Sequence, residues 1–199
     1  MLDAHRDFLK GFEKKVGKIF SFFPLSPNQY TISTIFFALA AFYFLYKNKI
    51  IFAIIFFIIA AFLDLVDGSV ARYKNQATKK GAYLDTIVDR FVEAILIFGL
   101  LFLPLPEVLF PVYVWIFLIL FGSLMTTYAK SAAKEKDLID SELKGGLLAR
   151  GERLILIIIA ILLGIYNYYW TVYLLVLIAI LTNFTVLQRI FSAINKSKN

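Results

Sequence analysis

An all-helical integral membrane fold is predicted by three observations. Hydrophobic residues make up 60% of the 199 positions and the mean hydropathy is +0.77, more apolar surface than one soluble core of this length hides. The apolar residues come in runs close to the ~20 that a spanning helix needs. The charged residues, 18% of the chain, cluster between those runs, as expected of loops and helix ends outside lipid.

Taken in order, the first element is an interfacial helix over residues 1–22. Leu9, Phe12, Val16, Ile19 and Phe20 recur at helical spacing among Arg6, Lys10, Lys14, Lys15 and Lys18, the pattern of an amphipathic helix lying in the membrane surface. Met1 to Lys18 alternate charged with apolar positions and lack a small-residue cleavage site after an apolar core, so no signal peptide is expected. Pro24 and Pro27 then break the chain, and Ser26-Pro27-Asn28 offers a helix start. Six spans follow, at 29–46, 50–71, 82–103, 108–131, 149–166 and 168–187, and one domain, 1–199, is expected, its six-helix bundle covering 29–187. The second to fifth spans carry charge at one end only, so those ends are expected to project from lipid and share a polar site.

An even number of crossings leaves both termini on one side, and the basic residues say which. Arg72, Lys74, Lys79, Lys80, Lys130, Lys134, Lys136, Lys144, Arg150, Arg153, Arg189, Lys196 and Lys198 join the N-terminal cluster on one side; the other has only Lys47 and Lys49. The termini and the polar helix ends are therefore expected on the cytoplasmic side of the cytoplasmic membrane. Tyr166, Tyr168, Tyr169 and Trp170 suit an interfacial aromatic belt opposite.

The chain has no cysteine, and its one histidine, His5, lies in the polar N-terminal stretch, so disulfides and thiolate ligands are excluded and any metal must rest on oxygen. Acids inside spans are costly and usually functional. Asp64 and Asp67 close the second span; Asp85, Asp89 and Glu93 open the third. At helical spacing Asp64, Asp67, Gly68 and Ala71 form one stripe, and Gly81, Asp85 and Asp89 another. The segment Arg72–Lys80 lets the stripes face each other. Four carboxylates so placed repel unless neutralised, which invites one or two Mg²⁺ or Mn²⁺ ions, and a diphosphate is the ligand such ions would bridge.

The run Asp64-Leu65-Val66-Asp67-Gly68-Ser69-Val70-Ala71-Arg72, followed by Gly81, Asp85 and Asp89, resembles the signature of the CDP-alcohol phosphotransferase family at every fixed position. The six-span layout with a leading amphipathic helix is similar to that family along the whole chain. The resemblance implies transfer of a phosphatidyl-type group, diacyl or ether, from a CDP-lipid to a small alcohol, with release of CMP. It implies metal ligation by Asp64, Asp67, Asp85 and Asp89, with two ions, and Asp89 as the base that takes the hydroxyl proton. A carboxylate beside cations is a weak base, so polarisation of the alcohol by metal would share that task. Asp64, Gly68, Ala71, Arg72 and Gly81 would bind the CDP moiety: the small residues by close backbone approach, Arg72 by its planar fork of donors on a phosphate.

Thr127, Lys130, Arg150 and Arg153 abut apolar spans on the same side and resemble the inositol-phosphate branch of the family, where they would bind the phosphate of the acceptor. Thr127 replaces a serine of that pattern, Ala149 a glutamate and Ala132 a common basic residue. Inositol 1-phosphate is the expected acceptor and glycerol-3-phosphate the nearest competitor; a neutral alcohol needs no three-cation pocket. The family also implies a homodimer in contact with membrane lipid, and no nucleic-acid partner is expected. Two rival classes fit less well. An aspartate-rich membrane prenyltransferase has two separated acidic motifs and more spans. An ion-coupled transporter places acids at mid-membrane in broken helices, whereas these acids sit at helix ends beside a basic loop.

Overall fold

The structure, a computed structural model, describes residues 2–139 and 146–196, with side chains for 11–139 and 146–195. Lys144 and Lys198 of the basic set lie outside the described residues, as do the side chains of His5, Arg6, Leu9, Lys10 and Lys196. Among the described residues the chain forms seven α-helices and no strand: α1 (Leu2–Phe20), α2 (Pro27–Tyr46), α3 (Ile50–Tyr73), α4 (Lys79–Gly99), α5 (Val112–Glu135), α6 (Arg150–Leu163) and α7 (Tyr168–Lys196). A 3₁₀ turn, Leu100–Phe102, extends α4.

Four of these helices, α2, α3, α5 and α7, are long and apolar enough to cross a membrane. Helix α4 carries charged residues from its start to Glu93, namely Lys79, Lys80, Asp85, Asp89, Arg90 and Glu93, and α6 has 14 residues, a rise of only about 21 Å. Helix boundaries depart from the apolar runs in both directions. Helix α4 begins at Lys79, earlier than its apolar run, because Thr78 Oγ1 accepts from Gly81 N at 3.0 Å and caps it. Helix α5 begins later, at Val112 after Pro111, and α7 runs on to Lys196.

The chain gathers into two compact units, Met1–Leu96 and Ile97–Asn199. In the first, α2 opens with a reciprocal cap: Ser26 Oγ accepts from Gln29 N, Gln29 Oε1 accepts from Ser26 N, and Pro27 occupies the first turn, where its missing N–H costs nothing. Helices α2 and α3 form a hairpin around Asn48, whose φ of 54° makes the turn. Small buried residues, Ala38, Ala41, Ala53 and Ala60, let the helices approach, and Phe44 stacks on Phe52 and Phe56 at 5.3 and 5.1 Å between centroids. Helix α1 lies on α3: Val16 packs with Tyr30, Val66 and Val70, and Tyr30 Oη donates to the Phe20 carbonyl at 3.0 Å. Gly17 marks the crossing, since a Cβ there would lie 2.5 Å from the Ser69 carbonyl oxygen.

In the second unit α5 and α7 cross at Gly122, where a Cβ would lie 2.7 Å from Thr182 Cγ2. Asn183 Nδ2 donates across that crossing to the Leu118 carbonyl at 2.9 Å, an interhelical bond of the kind that holds helices together in lipid. Thr171 Oγ1 of α7 donates to the Ala160 carbonyl of α6 at 2.8 Å. The segment entering α6 is tied to α7 by Leu147 N to Gln188 Oε1 and Leu148 N to Thr185 Oγ1. Many large apolar side chains, Phe36, Phe91, Phe117 and Ile180 among them, face outward, as they must if lipid is the solvent.

Candidate active site

The polar end of α3 and the start of α4 carry the predicted acids, all within the first unit. Carboxylate oxygens of Asp64, Asp85 and Asp89 lie within 4.8 Å of one another, each side chain partly buried. Such a cluster is self-repelling without a counter-charge, and an all-oxygen donor set of this spacing fits a hard divalent cation. Asp67 stands beside these three, close enough to Asp85 and Asp64 to feel both charges. It is 5% exposed, and its Oδ2 accepts from Thr31 Oγ1 of α2 at 2.6 Å. The Pro27 carbonyl, at 3.2 Å, is the weaker claimant on that one hydroxyl proton.

The two stripes expected from helical spacing do face each other. They bound a cavity of about 180 Å³ lined from α2 by Pro27, Asn28 and Thr31, from α3 by Asp67, Gly68, Ala71 and Arg72, and from the α4 end by Gln76, Ala77, Thr78, Gly81, Ala82 and Asp85. Gly81 is tightly enclosed: a Cβ would meet Thr78 Oγ1 at 3.2 Å and Asn28 Oδ1 at 3.3 Å. At Gly68 a Cβ would meet Arg72 Nη1 at 3.2 Å, so the guanidinium lies back along α3 over the glycine. The sequence marks Asn28 only as part of a helix start and does not mark Thr31 at all; neither is charged, and only tertiary packing brings the start of α2 to the cavity.

About three turns into α4, Arg90 follows Asp89 with Nη2 at 3.8 Å from Asp89 Oδ2, while its Nη1 is 3.0 Å from Glu93 Oε2. Glu93 is 2% exposed. Helical spacing marked Glu93 as an intramembrane acid; the structure adds its partner, the arginine next to Asp89.

The remaining predicted residues lie in the second unit: Thr127 and Lys130 at the polar end of α5, Arg150 and Arg153 in the first turn of α6. Arg153 is 1% exposed and the other three are partly buried. Arg189 of α7 joins them, donating from Nη1 to the Thr126 carbonyl at 2.6 Å and feeling the charge of Arg153. Sequence reasoning counted Arg189 as one more cytoplasmic cation; its only distinguishing signal was its place on the continuation of an apolar helix. A buried guanidinium beside a partly buried one is an environment in which an anion is stabilised.

The sequence matches the CDP-alcohol phosphatidyltransferase family over residues 24–189. The archaetidylinositol phosphate synthase of Pyrococcus horikoshii is 34% identical over 97% of this chain and 96% of its own length. A bifunctional IPC transferase and DIPP synthase of Aquifex aeolicus is 32% identical over 87% of this chain, which spans 40% of that longer protein. Among solved structures, the phosphatidylinositol phosphate synthase of Mycobacterium tuberculosis shares the fold, with a TM-score of 0.80 at 21% identity over 91% of this chain and 88% of that one, in a complex with manganese and citrate. Another structure of the same enzyme, with CDP-DAG bound, gives a TM-score of 0.78 over 91% of this chain and 92% of that one.

Proposed function

The chain belongs to the CDP-alcohol phosphatidyltransferase family, and from that premise we propose that it transfers the phosphatidyl-type group of a CDP-lipid to the hydroxyl of inositol 1-phosphate. The alcohol oxygen forms a new bond to the lipid-side phosphorus, the bond from that phosphorus to the CMP oxygen breaks, and the hydroxyl proton passes to Asp89. The observation that carries the reading is the cluster of Asp64, Asp85 and Asp89 beside the cavity that Gly68 and Gly81 open.

Each side chain has a defined task in this reading. Gly68, Ala71 and Gly81 leave room for the cytidine against the α3 and α4 backbones, with Asp64 at its edge. Arg72 holds a CDP phosphate. Asp64, Asp67, Asp85 and Asp89 would hold two divalent cations, Mg²⁺ or Mn²⁺, which when bound would neutralise the carboxylates and the diphosphate. Asp89 accepts the proton, and the adjacent Arg90, held by Glu93, keeps a positive charge at its side. Thr127, Lys130, Arg150 and Arg153 bind the acceptor's phosphate, with Arg189 beside them. The buried cation at Arg153 and the partly buried one at Arg189 support a phosphorylated acceptor, and the likeness to an archaetidylinositol phosphate synthase supports inositol phosphate in particular. The domain spans 1–199, with six crossings, α1 in the interface, both termini and the site on the cytoplasmic side of the cytoplasmic membrane, and two copies forming a homodimer.

Purified protein with a CDP-lipid and Mg²⁺ is expected to release CMP with inositol 1-phosphate but not with free inositol or serine. Asp89→Asn should lower the rate by a factor of about 10² to 10⁴, the range for a lost general base. Release with glycerol-3-phosphate alone would transfer the reading to that acceptor. Equal rates for Asp89→Asn and the parent would remove Asp89 from the chemistry.

A further inference from the structure

Arg72 has a partner that phosphate binding does not explain. Its Nη2 lies 3.0 Å from Oε2 of Glu13, on the helix read as a membrane anchor. Anchoring gives no reason for an acid at this position. Glu13 is followed by Lys14, Lys15 and Lys18, and an acid among cations at an anionic lipid surface weakens adhesion.

The position of Glu13 is set by the crossing of α1 on α3. One turn on, Val16 is buried with Val66 and Val70, and Gly17 lies against the Ser69 carbonyl and Tyr73 Cβ. Backbone approach that close fixes the register of α1, and with it the place of Glu13 beside the last turn of α3. Glu13, Lys14, Ser69, Arg72 and Tyr73 line a second cavity of about 380 Å³ between the two helices. Arg72 therefore lines both this cavity and the one bounded by the aspartate-bearing helices. Both of its terminal nitrogens lie near Gly68, and one of them, Nη2, is also bound by Glu13. An exposed arginine samples many rotamers, and a fixed carboxylate on one nitrogen reduces that freedom while leaving other donors for a phosphate.

We infer that Glu13 is a positioning residue for the donor site: it holds the Arg72 guanidinium folded over Gly68, so that seating of α1 on α3 sets the affinity for the CDP moiety. This rests on the reading of Arg72 as a phosphate ligand. The pair is part-exposed, so its effect on binding is expected at about 1.5- to fivefold.

The test is titration of CDP, with Mg²⁺, into full-length protein in detergent, together with turnover of a CDP-lipid. Glu13→Gln is expected to weaken CDP binding by that factor and raise KM for the CDP-lipid, with kcat within about twofold of the parent, the pattern of lost ground-state binding. Glu13→Asp should restore part of the affinity, and Lys14→Gln, on the same cavity, should bind as the parent does. In an Arg72→Lys background Glu13→Gln should have no further effect, because the two act as a unit. Unchanged CDP affinity in Glu13→Gln overturns the inference, and so does tighter binding, which would make Glu13 a competitor of the phosphate. Effects of Glu13→Gln and Arg72→Lys that simply add overturn it too, since Glu13 would then act only by holding α1. A parent protein that fails to bind CDP sinks the donor site itself and this inference with it.

Discussion

At Asp67 the signature motif depends on a residue outside it. Helical spacing put Asp67 in line with Asp64, but its buried Oδ2 is bound by Thr31 of α2, so only one carboxylate oxygen points elsewhere. Thr31→Val keeps the shape and removes the donor, leaving a buried carboxylate short of a hydrogen bond. That is expected to cost about 1–3 kcal/mol, read as a lower thermal midpoint in detergent, with Thr31→Ser close to the parent. A Thr31→Val protein that melts with the parent would mean Asp67 is satisfied without α2. The acids and both cavity glycines were legible because a fixed helical spacing places them on two faces, and Arg72 because it closes the signature motif. Thr31, Glu13 and Arg189 were not, because each earns its role from a partner far along the chain: Asp67, Arg72 and the Thr126 carbonyl. A threonine or a glutamate in isolation carries no sign of such a partner.

Elements show the same division. The start of α2 was readable from Ser26-Pro27 because capping is local chemistry. The start of α4 was placed too late because hydropathy sees only apolar residues, whereas Thr78 caps a helix whose first turns are polar. The end of α7 was placed too early for the matching reason: leaving lipid does not end a helix, and Gln188 and Arg189 continue it while bonding to the α6 entry and to α5. For α1 the amphipathic pattern named a face but not what covers it, and Gly17 decides that. A side chain at Gly17 would meet the Ser69 carbonyl, part of the α3 backbone, at 2.5 Å and Tyr73 Cβ at 2.9 Å. Neither atom can give without bending α3, so Gly17→Leu is expected to lift α1 away. Trypsin should then cut at Lys14, Lys15 and Lys18 faster than in the parent. Gly11→Leu, where nothing lies within 4 Å of the added Cβ, should digest at the parent rate. Equal digestion of Gly17→Leu and the parent would show that α1 is held by lipid alone.

For the whole molecule the unresolved choice is between four crossings and six. Four helices qualify by length and apolarity; α4 carries a buried ion pair, Arg90 with Glu93, and α6 has 14 residues, about half the ~30 Å core plus its margins. Charge placement favours six. With six crossings Lys80 and Lys136 share the cytoplasmic side with the N-terminal lysines, as the positive-inside rule requires, whereas omitting α4 and α6 puts Lys130, Lys134, Lys136 and Arg150 outside. An intrahelical ion pair makes α4 tolerable in a membrane because its charges neutralise each other on a face shielded from lipid. The chain has no cysteine, so each introduced one is the sole thiol. In sealed vesicles of native orientation, a membrane-impermeant maleimide is expected to label Lys49→Cys and Tyr166→Cys from outside. Lys80→Cys and Lys136→Cys should label only after permeabilisation. Lys136→Cys decides: labelling from outside means that α4 does not cross, which would put Lys130, Lys134 and Lys136 on the outer side and overturn the six-crossing reading.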